Sequence, residues 1–272
     1  MTNLLALQFN PWFSIPIAAV IGMVLGSFYT VCVHRYVEEI PMNSPRRSMC
    51  PSCGSQLAWF ENIPLVSWWA LGGKCRHCGE RIAFSYVAIE AVSVVWAVAL
   101  AWNMGMTLPW VIYMVFGGLL IFGSFVDLRC YILPDRVTLG GFVLVLAVKG
   151  FFGWYFDDFQ GAIQPALIGA GIGGGGFWLL QQLYRIVRKE EGLGTGDVKL
   201  MLFIGALVGP MGLPFTILAA AVSALVASVI YMRLPGSKGL QTRIPFGPFL
   251  CLGAMLQLLV GGQVLRWYLT FY

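Results

Sequence analysis

The sequence predicts an all-α polytopic membrane protein of about eight transmembrane helices, with a cytoplasmic zinc-knuckle loop domain. Three observations predict it. The 272 residues are 58% hydrophobic and only 11% charged, with a mean hydropathy of +0.79, whereas a soluble domain carries roughly 25% charged residues. Apolar runs near the length of about 20 residues that a span requires recur along the chain. Two Cys-x-x-Cys pairs occupy the one long polar interval between such runs. Disorder is excluded by the abundance of apolar and aromatic residues. A soluble enzyme with a single core is disfavoured by the shortage of charge, and a β-barrel by runs that are continuous rather than alternating. The net charge of +5 is read as loop charge facing the cytoplasm rather than as a nucleic-acid surface. The expected surroundings are therefore membrane lipid and no nucleic acid.

Eight segments read as spans: residues 11–33, 86–104, 108–126, 134–152, 164–187, 198–208, 212–232 and 245–269. The first is not read as a cleavable leader, because its positive charge follows the apolar run instead of preceding it. The sixth is short and reads as a tilted or partly inserted segment. With the N-terminus outside, Arg35, Arg46, Arg47, Lys74, Arg76, Arg81, Arg129, Arg136, Arg185, Arg188, Lys189, Lys199, Arg233, Lys238 and Arg243 fall on the inner side, and only Lys149 and Arg266 fall outside. Fifteen against two is a strong inner bias of positive charge. It favours an even number of spans with both termini on the non-cytoplasmic side. The expected division is 1–33 for the first span, 34–85 for the loop domain and 86–272 for the remaining helical body.

The loop carries Cys50-Pro51-Ser52-Cys53-Gly54 and Cys75-Arg76-His77-Cys78-Gly79. Each knuckle turns two thiolates toward one ion, and the following glycine permits the tight backbone. Four thiolates make a closed tetrahedral site, the geometry of structural zinc. Redox or disulfide chemistry is the competing reading, and a cytoplasmic location argues against it. His77 could replace one thiolate. Cys32, Cys130 and Cys251 lie in or near apolar runs and read as small buried side chains.

Most carboxylates fall in loops. Asp135 follows a proline at a helix start, where capping explains it. Glu90, Asp127 and Asp197 remain inside or at the edge of apolar runs, where a carboxylate costs at least about 2.5 kcal/mol at a helix centre and needs a partner or a function. Asp127 ends the third span and Asp197 opens the sixth, both on the inner side. Gly194 and Gly196 allow backbone to close around Asp197. Two carboxylates within a few ångströms hold one proton between them. Such a pair can activate water and protonate a leaving amine, which is aspartyl proteolysis. The alternatives are an N-cap for Asp197, an ion pair of Asp127 with Arg129, and proton or ion transport.

These residues resemble the type IV prepilin peptidases, membrane aspartyl proteases of the G-x-G-D class. The likeness runs nearly end to end: Leu25-Gly26-Ser27-Phe28 with His34-Arg35, Pro45-Arg46-Arg47-Ser48, Glu61-Asn62-Ile63-Pro64 with Ser67-Trp68, Tyr86 and Glu90, Asp127, Leu133-Pro134-Asp135, Gly194-Thr195-Gly196-Asp197-Val198-Lys199-Leu200, and Pro245-Phe246-Gly247-Pro248-Phe249. The resemblance implies Asp127 and Asp197 as catalytic residues. It implies substrates that are prepilins or pseudopilins with hydrophobic N-terminal helices, cut after a glycine at the cytoplasmic face of the bacterial inner membrane. It also implies N-methylation of the new terminus with S-adenosylmethionine. Glu90 is the candidate for holding the substrate amine or shaping the methyl-transfer site, against a plain polar contact with Arg35 or Tyr86.

The Gly171-Ile172-Gly173-Gly174-Gly175-Gly176 run follows no strand, so it is not a dinucleotide fingerprint. Gly169 with Gly173, and Gly171 with Gly175, read instead as close helix packing. An ion- or proton-coupled transporter is the alternative from another class. It has no use for the knuckle loop, and no inverted repeat supports it. A presenilin-like protease would place Tyr before its first aspartate, and Val126 stands there. The oligomeric state is not set by the sequence.

Overall fold

The computed structural model describes residues 11–41, 48–50, 52–189, 192–233 and 244–270. Arg46 and Arg47 of the Pro45 motif, Glu190, Glu191, Lys238 and Arg243 lie outside the described residues. The chain is helical: α1 (Pro11–Val37), the short α2 (Val66–Ala70), α3 (Phe84–Met104), α4 (Leu108–Cys130), α5 (Asp135–Tyr155), α6 (Phe159–Arg188), α7 (Thr195–Met232), α8 (Gly247–Leu256) and α9 (Gly262–Leu269), the last two joined by a π-turn at Gln257–Gly261. Among the described residues, extended pairing is limited to two isolated bridges. Among the described residues, seven helices are long and apolar enough to cross a membrane, with α8 and α9 counted as one.

Two compact units divide the chain, Met1–Phe125 and Val126–Tyr272. In the first, α1 and α3 approach through glycine. A Cβ on Gly22 or Gly26 would lie 2.8 Å from the Cα of Val94 or Glu90. The Trp96 indole lies over Gly117 of α4 and donates to the Tyr113 carbonyl at 3.1 Å, so a large buried ring keeps its one polar atom satisfied. Ile89, Ala97, Leu100 and Leu120 complete this core.

In the second unit the innermost element is the start of α7, where Leu200, Met201, Phe203, Ile204 and Ala206 are fully buried. At 38 residues, a straight α7 would run about 57 Å, nearly twice the hydrocarbon thickness of about 30 Å. It is not straight. Gly209 has φ 72° and ψ 175°, a conformation open essentially to glycine alone, and Pro210 follows. Met201 and Leu213 both lie against Gly173, with the Met201 carbonyl at 2.7 Å and a Leu213 methyl at 3.3 Å from its Cβ position. Twelve residues of straight helix would separate them by about 18 Å. The chain therefore folds back at Gly209, and the sixth and seventh expected segments are its two arms.

Lys149 lies within α5, near the outer end of the expected span 134–152, and its Nζ donates to the carbonyls of Ala206 at 2.8 Å and Leu207 at 3.3 Å. These are the last carbonyls before the break, left without helical partners. A half-buried ammonium at a helix C-terminus satisfies them and complements the dipole.

Candidate active site and metal centre

Asp127 stands in the last turn of α4 and is 6% exposed. The helix ends because Tyr131 turns to φ 57°, and Leu133-Pro134 leads directly into α5. Asp197 is the third residue of α7. Its N-cap is Gly194, with extended backbone and no side-chain cap bond, so the N-cap reading of Asp197 does not hold. The two carboxylates come from separate helices and converge. Leu133 packs at 3.3 Å against the Cβ position of Gly196, next to Asp197, and at 3.2 Å against that of Gly247. The Gly247 Cβ position is 2.5 Å from Asp127 Oδ2, and the Gly247 N–H donates to that carboxylate. Asp197 feels the charge of Asp127 directly.

Gly247 opens α8, so an orphan N–H of a helix start meets a carboxylate. Its role was not legible beyond the position of a glycine before Pro248. Asp135 is likewise not an N-cap: Pro134 holds that position, and Asp135 pairs with Lys199 Nζ at 2.6 Å. The spacing of Lys199 two residues past Asp197 is the signal that could have found this pair.

In the loop of the first unit, the four sulfurs of Cys50, Cys53, Cys75 and Cys78 all lie within 4.8 Å of one another, with Cys50 and Cys78 at 3.8 Å. Zinc–sulfur bonds of about 2.3 Å set tetrahedral edges of about 3.8 Å, so the donor set fits zinc. The knuckles repeat in detail. Gly54 N–H donates to Cys50 O and Gly79 N–H to Cys75 O, both at 2.9 Å; Cys50 N–H donates to Ser55 O and Cys75 N–H to Glu80 O. Gly54 and Gly79 take φ 70° and 74°, and the bridges Met49–Gln56 and Lys74–Arg81 close each turn. Hydrogen bonding to the Ser55 side chain and backbone brings the Cys53 thiol down to about 6. His77 is outside the four-sulfur cluster.

Glu90 lies on α3 in the same unit. Its Oε2 accepts the Leu65 N–H at 2.7 Å. Leu65 holds φ 62° and ψ −50°, and Val66 N–H donates to Pro64 O at 2.6 Å. This is a γ-turn of the strained, positive-φ form. The Tyr86 hydroxyl meets His34 Nδ1 at 3.0 Å, and Arg35 donates to the Pro41 carbonyl at 3.3 Å.

Of the glycine pairs, Gly169 and Gly173 lie against Gly205 and Met201 of α7, and Gly174 against Leu202. Gly171 and Gly175 meet nothing within 4 Å, which corrects the second packing pair: at 100° per residue they fall on the far side of α6.

The family models for the bacterial peptidase A24 N-terminal domain and the type IV leader peptidase family match residues 20–104 and 114–229. A prepilin leader peptidase/N-methyltransferase of Pseudomonas aeruginosa is 33% identical, with 92% of each chain covered. One of Stutzerimonas stutzeri is 32% identical over 100% of this chain and 99% of its own. One of Legionella pneumophila is 26% identical over 100% of both. No solved structure matches the chain.

Proposed function

This chain belongs to the prepilin leader peptidase/N-methyltransferase family, and from that membership we propose that it is a multi-pass membrane aspartyl endopeptidase. It removes the leader of prepilins or pseudopilins and methylates the new N-terminus. The observation that carries the reading is the convergence of Asp127 and Asp197 beside Gly247. One carboxylate takes a proton from water as the water oxygen adds to the scissile carbonyl carbon. The other, protonated, donates to the carbonyl oxygen. On collapse one hydroxyl of the tetrahedral diol returns its proton to the pair as the carbonyl re-forms, the C–N bond breaks and the leaving amine takes a proton from the pair, which leaves the single shared proton in place. The dyad titrates as a unit, so the roles belong to the pair.

The substrate is a membrane helix with a polar leader. A site at the membrane rim meets the scissile bond without extracting that helix. The basic residues that flank the spans favour a cytoplasmic site and termini on the other face of a bacterial inner membrane. The fold-back at Gly209 supports the even number of passes this requires. Residues 34–85 then serve methyl transfer and 86–272 peptide cleavage, with zinc as a structural cofactor held by Cys50, Cys53, Cys75 and Cys78. Bound S-adenosylmethionine supplies an activated methyl group. The new N-terminal amine, once deprotonated, would be the acceptor of that methyl group.

Mass spectrometry of a prepilin co-expressed with this chain tests the reading. Wild type gives leader loss and one added methyl. Asp127→Asn and Asp197→Asn each give the uncut precursor, with membrane insertion unchanged. Normal cleavage by either variant removes that residue from the dyad.

A further inference from the structure

Exposed apolar side chains on the spanning helices face lipid. Those on α2 lie outside any span, in the loop between α1 and α3. Val66 is 56% exposed and Trp69 is 74% exposed. Three residues apart on a helix, they share a face. Ser67 is buried on the other side, where its hydroxyl donates to the Phe60 carbonyl at 2.7 Å and accepts the Ile63 N–H at 2.9 Å. A bare tryptophan beside a bare valine on a polar loop is the signature of an interaction surface.

Two attachments to α3 set the depth of α2. Leu65, the residue before α2, donates its N–H to the Glu90 carboxylate at 2.7 Å. Trp68 meets Phe84, the first residue of α3, edge to face with ring centroids 6.3 Å apart, and its indole N–H donates to the Ile82 carbonyl at 3.4 Å. Glu90 follows Phe84 by six residues, about 9 Å along the axis. Helix α2 therefore lies alongside the first two turns of α3. At 21 residues, α3 is about 31 Å long, which matches the hydrocarbon layer alone, about 30 Å. Its first turns stand at the boundary between acyl chains and headgroups, and α2 stands there with them.

That boundary is where tryptophan is favoured, because the indole is apolar in body and polar at its N–H. The Trp69 ring lies 5.5 Å from that of Trp68. Aromatic surface thus runs without a break from Trp69 through Trp68 to Phe84, itself 69% exposed. Charge agrees with this placement. Gly73 lies against the Trp68 ring, and its carbonyl accepts the Ile82 N–H at 2.8 Å. The adjoining residues Lys74 and Arg81 face each other across the second knuckle and are exposed. A basic pair beside the aromatic surface suits phosphate headgroups.

We propose that the Val66–Trp69 face of α2 is inserted in the headgroup region of the bilayer and anchors the cysteine loop to the membrane surface. Lipid is the occupant because the face continues a surface that already belongs to a span. The loop is then held at a fixed height on the membrane, whatever chemistry it serves.

Photocrosslinking tests this in the full-length, zinc-loaded enzyme, held in nanodiscs of phosphatidylethanolamine and phosphatidylglycerol with a co-reconstituted prepilin. A p-benzoylphenylalanine replaces Trp69, Val66 or, as the reference, Val95, an exposed residue midway along α3. Mass spectrometry of the irradiated protein identifies what each position captures. Lipid adducts at both test positions are expected within about threefold of the yield at Val95, with zinc content as in the wild type. Two positions keep the test decisive if one replacement disturbs the loop. Lower lipid yields at both overturn the proposal. So does capture of the prepilin in place of lipid, which gives the face to the substrate.

Discussion

Glu90 and Leu65 are joined by a single hydrogen bond, 2.7 Å from the Leu65 N–H to the Glu90 carboxylate, and it ties helix α3 to a strained turn of the cysteine loop. Backbone of this kind costs about 1–3 kcal/mol and persists only where its surroundings hold it. Glu90→Gln keeps an oxygen that can accept the bond; Glu90→Ala does not. Limited proteolysis should show faster cutting near residue 65 in the alanine variant alone. Methylation of a pre-cut peptide should fall in the same order. If glutamine performs as poorly as alanine, the charge of Glu90 matters beyond the turn.

Gly247 leaves no room for a side chain. A Cβ there would stand 2.5 Å from Asp127 Oδ2. Gly247→Ala should therefore displace the carboxylate and reduce leader cleavage by about a hundredfold, as misplacement of about 1 Å does. Gly262→Ala, where nothing lies within 4 Å, should cleave normally. Cleavage of a prepilin in isolated membranes compares the two.

Lys149→Met leaves the Ala206 and Leu207 carbonyls without their donor. Hydrogen bonds to charged groups contribute about 1.5–3 kcal/mol each, partly offset by removing a half-buried cation. A net loss of about 2 kcal/mol is expected, read as a lower melting temperature in detergent. Lys149→Arg should recover part of it.

Replacing any of Cys50, Cys53, Cys75 or Cys78 by Ser should bring bound zinc from one per chain to less than one, measured by elemental analysis. If the two knuckles share one ion, a change in either should expose both. Proteolysis should then cut across residues 48–82. Zinc that survives at full stoichiometry in a Cys78→Ser protein would mean another group completes the set.

The Asp135–Lys199 pair is expected to contribute little. Both side chains are more than a third exposed, and such pairs are worth about 0–1 kcal/mol. Lys199→Ala should leave the melting temperature within a few degrees of wild type.

What the sequence made legible was local. Apolar runs mark helices by length alone, and the knuckle spacing Cys-x-x-Cys-Gly fixes its own turn through a glycine at positive φ. The nearness of Asp127 and Asp197 was legible because both interrupt apolar runs at matching ends. Partners set by packing were not legible. Lys149 reads only as a charge at the outer end of a span until the break at Gly209 supplies it with two carbonyls. Asp135 reads as a cap until α7 brings Lys199 alongside. Gly171 and Gly175 carry the same spacing as Gly169 and Gly173, and only the position of α7 tells the pairs apart. Glu90 stood out as a costly charge, but its acceptor role depends on a turn 25 residues earlier.

The bare faces of Gly169, Gly173 and Gly205 bring two main chains into contact eight residues along α7 from Asp197. Backbone cannot yield as a side chain can, so Asp197 rides on a strut whose seating is decided deep in the apolar interior. A single methyl added there acts as a wedge. It would leave every reactive atom present and swing one of them out of alignment, so an inactive enzyme could arise from a lesion that touches nothing chemical.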